Sequence, residues 1–202
     1  MLITNDFEVA APIEKVWRFF DDIPHVAACL PGTELTGDLG DDQYQGRVSI
    51  RMGPVRLRFA GTADIAERDE QGRKIVVNAA GADERGRGQA AMGVTATLTR
   101  ARSGTKVSVA MDLQISGAAA QYGRGMISDV STILMRDFSA NMQDRIERLD
   151  RGESAEQIAA ALANTGGTNS AQGFTIALRA ARMALARVFR RFFLPYQPTT
   201  AS

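Results

Sequence analysis

Period-two alternation dominates the chain between Thr33 and Ser116, and it stops at Gly117. In TKVSVAMDLQIS, Val107, Val109, Met111, Leu113 and Ile115 alternate with Lys106, Ser108, Ala110, Asp112 and Gln114. Such alternation gives a strand one wet face and one dry face. YQGRVSIRM sets Tyr44, Gly46, Val48, Ile50 and Met52 on one face. VRLRFAGTADI sets Val55, Leu57, Phe59 and Ile65 together, with Arg56 and Arg58 opposite. RKIVVNAA and GVTATLTR continue the series, the latter grouping Val94, Ala96 and Leu98. Short turns at Gly53-Pro54, Gln71-Gly72 and Ser103-Gly104 separate these strands, which predicts an antiparallel meander of about six strands. One further strand, ITNDFEVA, precedes it. A helix follows from Pro12 through Val16, Trp17, Phe19 and Phe20, and a second short helix spans Asp22 to Leu30 before Pro31-Gly32.

Beyond Gly117 the apolar period lengthens. Tyr122, Met126, Ile127, Val130, Ile133, Leu134, Phe138, Met142, Ile146 and Leu149 recur at spacings of three and four. This predicts an amphipathic helix of about eight turns, ended by Arg151-Gly152. A curved sheet with one dry face needs a cover, and this helix is the element long enough to provide it. The expected class is α+β: a curved antiparallel sheet wrapped around a long C-terminal helix, with an apolar cavity between them. Many facing residues are small (Gly46, Gly61, Ala63, Ala79, Ala96) or flexible (Met52, Met92, Met111, Met126). They leave volume for a hydrophobic small molecule, although the same residues would also suit a tight core.

The charge is divided. The formal net charge is +1, yet no acid follows Glu156 while Arg179, Arg182, Arg187, Arg190 and Arg191 do. The tail is therefore basic and the body mildly acidic, which points to an anionic partner for the tail. Residues 1–152 form the expected ligand-binding domain. Residues 153–173, with NTGGTNSAQG, read as a flexible linker carrying at most a weak helical turn in AEQIAAALA. Residues 174–194 read as an amphipathic helix. At 100° per residue, Phe174, Leu178, Ala181, Leu185, Val188, Phe189 and Phe192 share one face. The five arginines occupy the rest of the wheel, and Phe193 widens the apolar side. A Phe/Leu face against an Arg face fits an interfacial helix on a membrane with anionic lipids. Docking on the chain's own body or on a partner is the alternative. A Phe-rich face does not fit duplex backbones, so no nucleic acid is expected.

Three stretches carry a family resemblance: APIEKVWRFFDD with CLPGTEL, GPVRLRFAGTADI, and ISGAAAQYGRGMISDVS. Through them, residues 1 to 150 resemble the carbon monoxide dehydrogenase G-subunit family of the START-like helix-grip superfamily. The last stretch, with Gly117, Gln121, Gly123 and Met126-Ile127, is the most specific. Gly117 is expected to free the strand-to-helix turn, and Gly123 to allow close backbone approach. The resemblance implies a helix-grip fold with an apolar pocket. It also implies an accessory place beside a carbon monoxide dehydrogenase or related molybdenum hydroxylase, without the metal, flavin or iron–sulfur groups.

Catalytic groups are scarce. His25 stands alone beside Pro24 and reads as structural; Cys29 is the single cysteine, set among Ala27, Ala28 and Leu30, and reads as a buried, inert thiol. One cysteine permits no internal disulfide and fits a reducing compartment. No His/Cys spacing suits zinc, and GDLGDDQ lacks calcium-loop spacing. GADERGRG lacks the strand-to-helix context of a nucleotide loop. The opening MLITNDFEVAAP has no charged segment followed by an apolar one, so no signal peptide is expected. A pocket without catalytic groups suggests carriage. The expected ligand is an isoprenoid quinone, specifically menaquinone, held by Val48, Phe59, Val94, Met111 and Leu113 from the sheet. Tyr122, Met126, Val130 and Leu134 face them from the helix, and Tyr122 is the candidate for a polar head group. The expected location is peripheral, on the cytoplasmic face of the cell membrane. A ligand-free anchor or assembly factor is the main alternative, and an enzyme acting on an aromatic or polyketide substrate a further one.

Overall fold

A computed structural model describes residues 1–52, 55–154 and 157–158. Seven strands form one antiparallel sheet: β1 (Leu2–Val9), β2 (Thr33–Gly40), β3 (Gln43–Met52), β4 (Val55–Asp69), β5 (Lys74–Asp83), β6 (Gln89–Ala101) and β7 (Gly104–Ile115). Their spatial order is β1-β7-β6-β5-β4-β3-β2, so the chain's first strand closes the meander by pairing with its last. Two helices, α1 (Ile13–Asp21) and α2 (Ile23–Cys29), connect β1 to β2. A 3-10 turn over Gly117–Tyr122 leads into the long helix α3 (Gly123–Asp150).

The alternation read from the sequence sets which residues face α3. In register, Ile3 opposes Met111, and Met111 opposes Val94. Asn5 and Phe7 continue that face on β1, opposite Val109 and Val107. α3 lies against β1, where Phe138 meets Phe7 edge-on at 5.8 Å between ring centroids. Its C-terminal half is tied to the body by polar contacts. Gln143 Oε1 accepts from the Ala10 amide at 2.8 Å, and Asn141 Nδ2 donates to the Cys29 carbonyl at 2.9 Å. The latter satisfies an orphan carbonyl at the end of α2. At the start of α2, Asp22 accepts from the His25 amide and also meets His25 Nδ1 at 2.7 Å. His25 thus serves an N-terminal cap.

The glycines before α3 act differently from one another. Gly117 has φ +72°, and a Cβ there would lie 2.0 Å from the Arg87 carbonyl, so it serves both turn and close approach. Gly123 has φ +74° with open space around a Cβ, which corrects the expectation of close approach. Its role is the left-handed backbone alone. Past α3, Gly152 turns the chain at φ +82°. Ser154 and Gln157 then exchange hydrogen bonds, Gln157 N to Ser154 Oγ and Ser154 N to Gln157 Oε1. This is a reciprocal capping box, and Ile158 just beyond it is fully buried. The expected turn at Gly53-Pro54 lies outside the described residues. So do most of the 153–173 segment and all of 174–194.

Candidate functional site: the seam between sheet and helix

The dry face is packed as two separate clusters. One joins Val9, Trp17, Phe19, Phe20, Ile75, Leu98, Val107, Phe138 and Met142 at the α1–α2 end. The other joins Ile3, Leu57, Ile127, Val130 and Ile133 at the Tyr122 end. Strands β7 and β4 can be followed across the boundary. On β7, Val107 and Val109 belong to the first cluster, Leu113 and Ile115 pack on the second, and Met111 belongs to neither. On β4, Ile65 packs on the first, Leu57 and Phe59 on the second, with Ala63 and Gly61 between them. Val48 and Met92, both half-buried, also belong to neither.

The boundary is a band of small and flexible side chains in cross-strand register. One row runs Tyr44, Ala63, Ala79, Met92, Leu113; the next runs Gly46, Gly61, Gly81, Ala90, Ile115. The glycine row has a steric reason. A Cβ on Gly61 would stand 2.0 Å from the Ala80 carbonyl oxygen, and one on Gly81 2.9 Å from that of Ala60. The neighbouring strands approach too closely there for any side chain. The result is a stretch of this face built from backbone and small side chains.

The nine residues expected to line a pocket all fall on these facing surfaces. Phe59, Leu113, Tyr122, Met126 and Leu134 are half-buried around the second cluster, and Val130, 5% exposed, is part of it. Val94 packs on the first cluster. Val48 and Met111 belong to neither cluster and lie in the rows that flank the band. Tyr122 ends the 3-10 turn and precedes the first residue of α3. The sequence reading missed two polar groups on the same surfaces. Asn5 on β1 lies half-buried between Ile3 and Phe7. Ser131 on α3 is 7% exposed, and its hydroxyl has no hydrogen-bond partner among the described residues. Both were hidden because a single polar residue inside an apolar pattern leaves the periodicity intact.

Two recesses open elsewhere. One of about 360 Å³ is bordered by Thr36, Gln45, Arg47, Ala60 and Thr62. Another, of about 330 Å³, is bordered by Thr62, Asp64, Asn78, Ala80, Ala91, Asp112 and Gln114. Most of these side chains alternate with the dry-face residues and lie on the outer, polar face, while Gly46 and Gly61 also border the first recess and Ala79, Met92 and Gly93 the second. Neither is the apolar cavity expected between sheet and helix.

The titratable groups near the seam favour neutral chemistry. Burial, followed by the carboxylates of Asp38 and Asp42, pushes the Tyr44 phenol above its usual value, which keeps it protonated. Burial pushes the Cys29 thiol up to about 12, against the opposing charge of Arg145. A thiol so raised is a poor nucleophile at neutral pH. Among the described residues no group of three His, Cys, Asp or Glu side chains could hold a metal ion. Also among them, no helix is long and apolar enough to cross a membrane.

A family model for the G subunit of carbon monoxide dehydrogenase (CoxG) matches residues 6–147. The chain belongs to the CoxG family. Membership gives it an accessory role in a carbon monoxide dehydrogenase system. No curated protein matches its sequence. Solved structures agree on the fold. A conserved protein from Geobacillus kaustophilus is 19% identical with a TM-score of 0.66, covering 73% of this chain and 96% of that one. The aromatase/cyclase Zhui from Streptomyces sp. R1128 is 16% identical with a TM-score of 0.54, covering 77% and 97%. A protein from Thermus thermophilus is 12% identical with a TM-score of 0.54, covering 74% and 99%. At these identities the likeness carries the helix-grip fold and nothing about chemistry.

Proposed function

We propose that this CoxG family member carries a hydrophobic ligand in the seam between its sheet and α3, and that the ligand is an isoprenoid quinone. The observation that carries the reading is the division of the dry face into two clusters by a band of Gly, Ala and Met. Protein interiors are close-packed, and a face this poor in side-chain volume forfeits contacts that an apolar guest restores. Met92 and Met111 can adjust to an irregular guest. The chemistry of the partner supports the choice of ligand. Electrons leaving a carbon monoxide dehydrogenase need an acceptor, and a respiratory quinone is one that resides in the membrane. A protein shielding the isoprenoid chain presents the ring to a dehydrogenase outside the bilayer.

In this proposal the Arg/Phe segment 174–194 holds the protein at the cytoplasmic membrane surface for loading. Each arginine near anionic lipid contributes about 1 kcal/mol. Five of them with the apolar face give reversible binding, and their charge opposes spanning. Menaquinone is the specific type proposed.

The test is native mass spectrometry with organic extraction of the full-length protein purified from a quinone-containing host. A stoichiometric isoprenoid quinone is the expected result. A folded protein that is empty, and that also refuses quinone supplied in detergent, would leave a ligand-free membrane anchor as the function.

A further inference from the structure

Ser131 lies on the stretch of α3 that serves the second cluster, one turn before the first begins at Met135. On α3, Ile127, Val130 and Ile133 belong to the second cluster, while Met135, Phe138 and Met142 belong to or pack on the first. At 100° per residue, Ser131 lies about 40° from Ile127 and about 20° from Phe138. It therefore shares their face of the helix, which packs on the sheet at β1. It is 7% exposed, and its Oγ has no hydrogen-bond partner among the described residues.

A helical serine ordinarily has an easy remedy, a hydrogen bond back to the carbonyl four residues earlier. The adjacent Thr132, although exposed, uses that remedy, with Oγ1 donating to the Ser128 carbonyl at 3.0 Å. Ser131 does not, although it is the more buried of the two. Burying a hydroxyl without a partner is unfavourable, and such groups call for an explanation. A trapped water would need two to four polar partners. Of the side chains three, four and seven residues away, Ile127, Leu134, Met135 and Phe138 are apolar and Arg124 is exposed, so half-buried Ser128 is the one polar neighbour along the helix, fewer than such a water needs. What fits is a guest that is apolar except for one hydrogen-bonding atom at this depth.

We infer that Ser131 is the polar anchor of the seam, its hydroxyl donating to a carbonyl oxygen on the ring of the bound ligand. The inference rests on the carrier reading and specifies it. The ligand class is a carbonyl-bearing ring with an apolar substituent, oriented with one carbonyl against α3 at Ser131. Ser131 takes the role that the sequence had suggested for Tyr122, which lies at the end of the helix.

Infrared difference spectroscopy of the full-length protein with menaquinone-4 tests this, comparing wild type, Ser131→Ala and Ser131→Thr. In wild type one ring-carbonyl band should move to lower wavenumber relative to menaquinone-4 in detergent. Ser131→Ala should lose that shift and bind about three- to tenfold more weakly, the loss of one hydrogen bond. Ser131→Thr keeps the hydroxyl and should keep the shifted band. Thermal midpoints of the empty proteins report folding separately, and Ser131→Ala should not fall below wild type. Equal affinity and identical bands in wild type and Ser131→Ala would overturn the assignment while leaving the carrier reading intact. Failure of the wild type to bind menaquinone-4 would overturn both.

Discussion

Gly61 shows how a single residue shapes the candidate site. Its missing side chain lets β4 and β5 approach until a Cβ would stand 2.0 Å from backbone. Gly61→Ala must therefore move a strand, and we expect a loss of about 3 kcal/mol or more in urea unfolding, at the upper end of overpacking costs. Asp83 makes a different prediction. Hydrogen bonding from Arg87, at 2.8 Å to Oδ2, holds its carboxyl below the ordinary value of 3.8 against the opposing effect of burial. A depressed folded pKa contributes stability above the unfolded value and loses it as pH falls through the folded one. Urea midpoints of the wild type should drop below about pH 4. Asp83→Asn should be less stable at neutral pH and should lose that part of the acid slope. For Cys29, burial raises the thiol to about 12, so a thiol reagent at pH 8 should modify it only when the protein unfolds. Its inertness was legible from Ala27, Ala28 and Leu30 around it. Ser131 was not legible, because an orphan hydroxyl is defined by its surroundings.

The strands were readable because a sheet with one wet face writes its geometry into alternate positions. Val107 to Ile115 on β7 and Tyr44 to Met52 on β3 needed no tertiary information. The register was less accessible. That Gly46, Gly61 and Gly81 fall in one row depends on turn lengths and on the irregularity between Ile65 and Glu67, which alternation does not encode. Helix α3 was readable in extent, yet Asp129 and Arg145 are buried on it, against the simple rule that polar residues face solvent. The end of α3 gives the element-scale prediction. Ile158 is fully buried behind the Ser154–Gln157 capping box. Ile158→Ala should cost about 2–5 kcal/mol in urea unfolding, as for other large-to-small core changes. A surface-like effect below about 0.5 kcal/mol would show that this position contributes no core packing.

As a whole, the proposed function separates two tasks along the molecule's length. The seam belongs to the body, and the basic Phe/Arg segment follows it. Removal of residues 174–202 should abolish co-sedimentation with vesicles containing anionic phospholipid, and it should leave menaquinone-4 binding by the body unchanged. Raising salt should weaken vesicle binding of the intact chain, because its arginine contribution is screened. The fold was legible at this scale from one change of period, whereas the division of the core was not. Two clusters and one solid core place the same residue types on the same faces. The most direct measurement is photolabelling of the full-length protein with an azido-quinone, followed by peptide mapping. A ligand seated in the seam predicts label on Met92, Met111 and the α3 segment around Ser131, suppressed by excess menaquinone-4. Label confined to residues beyond 158, or spread without competition, would contradict it.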